Sequence, residues 1–374
     1  MTHSRLLNPA LLRRELVQSL IDALAADGYR VWGPRVRGGA VVLDHLVDAK
    51  DLPWGVIDHP GPGRYALERT DAARCFAWNQ TAQGLKPLVF PAREVLWRVE
   101  RSEDGRLRFE SAESEPERIA VIGARACDLA GLALLDRHFL GAAGGAGAYA
   151  ARRNALFIVG VDCARSASTC FCASTGDGPA LQDGYDIGLS EVDEGFLVWA
   201  GSDAGAELVA GLPIEAAGPL QLEVAAEACS AAAGAQTRSL PSRHLARALF
   251  RALDHEQWEV VAGRCLGCGS CTAVCPTCFC HGLGTETEVD GSSAEQVREW
   301  DSCFSPAHSL LHGSPLRADR LTRYRQWLTH KLGAWHAQYG RSGCVGCGRC
   351  IAWCPAGIDL TAEVEALVGD ADYE

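Results

Sequence analysis

The chain has 374 residues, 48% of them hydrophobic, and 47 Asp and Glu against 35 Lys and Arg give it a net charge of −12. That apolar content excludes wholesale disorder, the acidity lacks the basic footprint of nucleic-acid and anionic-membrane binders, and apolar runs such as ALFIVGV at 155–161 fall far short of the roughly 18 residues of a membrane span. Seventeen cysteines accompany a single methionine, and charges run through the first twenty residues, where an export signal would be apolar. The expected compartment is therefore the reducing cytoplasm, where clustered cysteines are read as metal ligands rather than disulfides.

In residues 9–27, Leu12, Leu16, Leu20 and Leu24 recur at four-residue intervals, predicting an amphipathic helix closed by Gly28. Apolar runs at 40–43, 88–90, 119–123 and 156–161 predict strands mixed with helices, an α/β or α+β domain. The stretch GAAGGAGA at 141–148 has neither the G-x-G-x-x-G order nor a Walker lysine, so it is read as a surface loop. No nucleotide or flavin site is recognised in the chain. Residues 215–236 are Ala- and Gly-rich and weakly patterned, and after Pro241 helical periodicity appears at 244–263, 294–300 and 317–339. The division falls near residue 238: an α/β domain over 1–238, then an all-α helical ferredoxin domain over 239–374. Within 317–341, Arg317, Arg320, Arg323, Arg325, Lys331 and Arg341 face one acid, Asp319. This basic stretch fits a solvated helix face, a dock for an acidic partner, or a counter-charge for anionic clusters.

Cys265, Cys268, Cys271 and Cys275 form C-x2-C-x2-C-x3-C-P, and Cys344, Cys347, Cys350 and Cys354 repeat it. This is the bacterial ferredoxin spacing twice over, in which the fourth cysteine of each run serves the other cluster. One [4Fe–4S] cluster is thus assigned to Cys265, Cys268, Cys271 and Cys354, and a second to Cys344, Cys347, Cys350 and Cys275. Structural zinc favours paired C-x2-C knuckles, and inert buried thiols would not repeat a spacing. The 68 residues between Cys275 and Cys344 exceed what a minimal ferredoxin needs and read as helical.

A third constellation comprises Cys127 in GARACDLAG, Cys163 in VGVDC, and Cys170 and Cys172 in TCFC, the first two after strand-like runs. Four cysteines suit a further cubane, with zinc or buried thiols as alternatives. TCFC recurs at 277–280, leaving Cys278, Cys280 and Cys303 as an incomplete set, read as buried thiols, cluster lining or a site for a substrate thiol. Cys75 and Cys229 have no motif context.

The chain resembles a family of iron–sulfur proteins that comprises the beta subunits of soluble sulfhydrogenases, which are NADP-linked [NiFe] hydrogenases, together with the iron–sulfur component of anaerobic sulfite reductase. The resemblance spans nearly the whole chain through DLPWG (51–55), PGRYAL (62–67), KPLVFP (86–91), ARACDL (124–129), STGDGP (174–179), CPTCFC (275–280), WDSC (300–303), RYRQWLTHK (323–331) and CVGCGRC (344–350). The loop at 141–148 and HSLLHGSP at 308–315 depart from the pattern. The resemblance implies a non-catalytic relay of [4Fe–4S] clusters that connects a flavin/NAD(P)-binding reductase subunit to the catalytic subunit of a hydrogenase or sulfite reductase, and it strengthens the third cluster. Two other classes compete: a stand-alone sulfur-reducing protein using Cys278, Cys280 or Cys303, and a redox-sensing or structural module. Nothing in the residues separates the two complexes, and the hydrogenase is preferred because such subunits occur widely with it.

Overall fold

The computed structural model describes residues 9–111, 115–141, 147–241 and 244–369. An eight-stranded mixed sheet forms its first half. Four parallel strands lie at the centre, Arg30–Arg37, Ile119–Ala124, Leu156–Val161 and Ile187–Val192, side by side in that order. Ala40–His45 adds antiparallel at one edge, and Gly195–Ala200, Ala10–Arg13 and Ile214–Ala216 follow antiparallel at the other. Every residue of Leu156–Val161 is buried, as its unbroken apolar run requires of a strand covered on both faces. Glu191 in the neighbouring strand is also buried, and its carboxylate accepts the backbone N–H groups of Cys75 and Phe76 at 2.7 and 2.9 Å.

Three local expectations are corrected. Residues 9–27 begin as the strand Ala10–Arg13, and the helix is confined to Gln18–Ala26. Leu11 and Leu12 bury in separate cores on either side of the sheet, which a strand allows and one helix face does not. Residues 88–90 belong to a helical turn, Lys86–Val89, and its end, where Val89 and Phe90 pack with Leu129 and Leu132. Residues 215–236 hold a regular helix, Pro219–Gly234. Its alanines have the highest helix propensity, Pro219 suits the first turn, and the Gln221 side chain caps the Gly218 N–H at 2.8 Å. Of the loop at 141–148, residues 142–146 lie outside the described residues.

The second half is not all-α. His281–Thr287 and Ser293–Trp300 form an antiparallel hairpin, and the latter strand pairs with Arg93–Arg101, which in turn pairs with Leu107–Ser111. Residues 294–300, read as helical from AEQVREW, are therefore a strand whose partner lies about 200 residues earlier. Arg93 with Glu286 at 2.8 Å and Arg98 with Glu295 form ion pairs across the strands.

Helices Leu245–Arg251, Gln257–Arg264 and Arg320–Thr329 surround the second core, the last continuing through a π turn, His330–Ala334, into Trp335–Tyr339. Trp258, Tyr324, Trp327, Leu328, Ile351 and Val364 fill it, and Phe171 from the first half enters it. Across residue 238 itself, Arg238 pairs with Asp359 at 2.7 Å. No helix among the described residues is long and apolar enough to cross a membrane.

Candidate iron–sulfur centres

Cys265 follows the helix Gln257–Arg264, and the loop after it turns through Gly267 and Gly269 at φ +66° and +75° before the short helix Ser270–Ala273. Left-handed backbone of this kind is open to glycine without steric cost. Cys265, Cys268, Cys271 and Cys354 border one largely apolar cavity with Phe304, Tyr324, Trp327 and Ile358. The Gly267 and Ile358 N–H groups donate to the sulfurs of Cys265 and Cys354, each at 3.4 Å. Burial pushes the Cys271 thiol far up, and Cys265, Cys354 and Cys268 act on it more strongly than its sequence neighbour Cys275. The fold thus gathers three cysteines of one run with the fourth of the other. Four soft sulfur donors, two of them accepting backbone N–H bonds, are a chemically fitting set for a [4Fe–4S] cluster.

Cys344, Cys347 and Cys350 wrap the matching loop, with Gly346 and Gly348 at φ +64° and +72° and the Gly346 N–H directed at the Cys344 sulfur at 3.5 Å. Burial raises the Cys350 thiol, and Cys344, Cys347 and Cys275 act on it ahead of Cys271, so Cys275 stands with this set. Lys331 is buried here, its Nζ 3.3 Å from the Cys275 sulfur, 2.8 Å from Thr277 Oγ1 and 3.3 Å from the Gly343 carbonyl. Burial alone would favour the neutral amine; negative charge on the surrounding cysteine sulfurs, that of Cys275 first, outweighs this and holds the ammonium charged.

Lys331 therefore gives the basic stretch a counter-charge at the cysteines. Arg320, Arg323 and Arg325 are engaged by the carbonyls of Cys265, Phe304 and Leu253, and Arg341 meets Asp177 at 2.8 Å.

The third group sits at the C-terminal ends of two adjacent parallel strands, the usual position of sites in open α/β sheets. Cys127 lies in the first turn of Ala126–Phe139, just beyond Ile119–Ala124, and Cys163 lies two residues beyond Leu156–Val161. Cys170 and Cys172 follow in the same loop, where burial first, and then Cys172 and Cys163, push the Cys170 thiol up. Burial pushes Cys172 up to about 12, with Cys163 and Cys347 adding to it and Gln236, donating at 3.3 Å, opposing it.

This loop is pressed onto the second ferredoxin loop. The Phe171 N–H donates to the Gly346 carbonyl at 2.9 Å, and a Cβ on Gly346 or Gly348 would come within 2.5 Å of the Phe171 carbonyl or 2.2 Å of the Thr169 carbonyl. Thr277, the first residue of the second TCFC, donates to the Gly343 carbonyl at 2.6 Å. Both TCFC segments thus contact the 343–348 loop.

The family model for a 4Fe-4S dicluster domain matches residues 264–358. The chain is 32% identical over 315 residues to Sulfhydrogenase 2 subunit beta of Pyrococcus furiosus, a match covering 82% of this chain and 89% of that relative. The chain belongs to the family of sulfhydrogenase beta subunits. No solved structure matches it. The dicluster match includes the eight ferredoxin cysteines of this family member and leaves Cys127, Cys163, Cys170 and Cys172 outside.

Two features escaped the motif reading. Lys86 is buried, its Nζ 3.8 Å from the centre of the Trp300 ring and donating to the carbonyls of Thr272, Ala273 and Cys278 at 3.1 to 3.3 Å. Its only signal was its place in KPLVFP. His308 lies beside Cys280 and Cys303, whose sulfurs are 4.0 Å apart. A lone histidine in a segment that departs from the family pattern gave no reason to join it to cysteines up to 28 residues earlier.

Proposed function

We propose that this iron–sulfur protein relays single electrons between the flavin/NAD(P)-binding reductase subunit of a cytoplasmic sulfhydrogenase and its [NiFe] catalytic subunit. Two [4Fe–4S] clusters belong to the crossed ferredoxin quartets, and a third belongs to Cys127, Cys163, Cys170 and Cys172. The clusters supply one-electron carriers; the chain supplies thiolate ligands, N–H donors to sulfur, dry apolar walls and the Lys331 charge, the means by which proteins set cluster potentials.

The observation that carries this reading is contiguity. The third group touches the loop of the second quartet through Phe171 and Gly346, and Cys350 of the second quartet also borders the cavity of the first. The three groups therefore form an unbroken series from the strand ends of the α/β half to the exposed Cys268.

The test is iron and acid-labile sulfide per anaerobically purified chain, with EPR of the reduced protein. About twelve of each correspond to three cubanes, whereas about eight would confine the relay to the ferredoxin quartets. Co-purification with a large subunit bearing two C-x2-C nickel motifs supports the hydrogenase assignment. A sirohaem-binding partner in its place would move the chain to sulfite reduction.

A further inference from the structure

We propose that Cys280, Cys303 and His308 bind one thiophilic divalent cation, zinc in type, separate from the three cysteine groups assigned to clusters. Among the described residues, this trio brings three ligand atoms to within 4.8 Å of one another. The two sulfurs stand 4.0 Å apart, close to the ~3.8 Å spanned by two thiolates bound tetrahedrally at about 2.3 Å to a single zinc. Ligands at separate corners of a cubane stand farther apart, because each binds its own iron. Cys278 is not part of the converging set, which leaves the trio one cysteine further from a cubane quartet.

The surroundings are built as a metal site is. His308 Nδ1 lies 2.8 Å from Asp301 Oδ2, a carboxylate–histidine contact that fixes the ring and leaves Nε2 as the ligating nitrogen. Asp301 is itself held, its N–H donating to the Cys280 carbonyl at 2.9 Å and its other oxygen accepting the Ser302 N–H at 2.7 Å. The ligands come from three separately anchored places: the start of the hairpin, the loop after Ser293–Trp300, and the turn Pro306–Ser309. A surface pocket of about 390 Å³, lined in part by Lys86, Cys278, Cys280, Asp301 and Ser302, reaches the site. It provides an entry path and room for a fourth ligand, a water or a small anion, as in three-ligand zinc sites.

The test is elemental analysis of the full chain, purified anaerobically with its clusters. One equivalent of zinc per chain is expected beside the cluster iron. The double variant Cys280→Ser/Cys303→Ser should lose that zinc while iron, sulfide and the EPR of the reduced protein stay as in the wild type. Asp301→Asn keeps all three ligands and should lower zinc retention against a chelator about 10- to 100-fold; it remains informative should the double variant fail to fold. Zinc below a tenth of an equivalent, loss of iron rather than zinc in the double variant, a disulfide between Cys280 and Cys303, or an unchanged chelator profile for Asp301→Asn would each overturn the proposal.

Discussion

Arg349 and Asp128 form a buried ion pair, Nη2 to Oδ1 at 2.8 Å, which ties the helix that starts beside Cys127 to the turn between Cys347 and Cys350. Arg349 also donates from Nε to the Thr81 carbonyl at 2.8 Å. The pair is a side-chain link between the third cysteine group and the second quartet, beside the main-chain bond from Phe171 to Gly346. Arg349→Met strands the Asp128 carboxylate in an apolar setting and should destabilise the chain by ~3–5 kcal/mol, while Arg349→Met/Asp128→Leu should recover most of that loss. Denaturant midpoints of the anaerobic holoprotein measure both. Equal losses in the single and double variants would show that the Asp128 carboxylate is not stranded by the loss of Arg349.

Lys331 places a full positive charge against Cys275 in a buried setting. A cation near a cluster ligand favours the reduced, more negative state. Lys331→Met should therefore shift the potential of the cluster held by Cys275 in the negative direction and lower turnover of the assembled complex by about 10- to 100-fold. Lys331→Arg keeps the charge and should restore part of the shift. Potentiometric titration followed by EPR reads the change; an unmoved potential in Lys331→Met would remove the counter-charge role.

The residues that could be placed from the sequence are those whose chemistry depends on local spacing. The two ferredoxin runs dictate their own loops through Gly267, Gly269, Gly346 and Gly348, and Leu156–Val161 is apolar enough to be a buried strand in any surroundings. What escaped the sequence depends on distant partners. Ala294–Trp300 carries helix-favouring residues but pairs with Arg93–Arg101, and Leu12 is drawn from its helical stripe into a strand by Phe196. Lys331 fell within a run of basic residues and differed from them only in what it faces. Tertiary pairing outweighs local propensity in such places.

Gly346 and Gly348 test whether contact between the TCFC loop and the second quartet matters. Alanine at either position combines a positive φ with a direct clash against the 169–171 main chain. Gly340 has φ +72° and nothing within 4 Å of an added Cβ, so Gly340→Ala isolates the backbone strain, on the order of 1 kcal/mol. Gly346→Ala and Gly348→Ala should cost clearly more than Gly340→Ala and should reduce iron content by up to a third, through loss of the third group. Equal costs and full iron in all three variants would show that the loops can part without consequence.

Cys127→Ser and Cys172→Ser should each remove about four irons per chain and leave the EPR of the ferredoxin pair in place. Because Cys172 approaches Cys347, a shift in the remaining signals is expected even though their number is unchanged. Full iron in both variants would defeat the ligand assignment for the third group.

His138 gives the fold a mild dependence on pH. Its ring stacks on Phe279 with centroids 3.6 Å apart, and Nδ1 lies 2.8 Å from the Tyr339 hydroxyl. Burial, and the nearby His281, hold its pKa below the ordinary value of 6.5. As pH falls, the unfolded chain takes up this proton before the folded one does. The stabilisation is thus complete above 6.5 and is lost as pH drops from there through the lower folded value. The ring is only partly buried, and solvent screening keeps the effect below about 1 kcal/mol. His138→Phe preserves the stacking and removes the titration, so its melting temperature should fall less than that of the wild type over this acidic window. Parallel melting profiles for the two proteins would show that His138 takes up its proton alike in the folded and unfolded states and contributes nothing to the acid sensitivity.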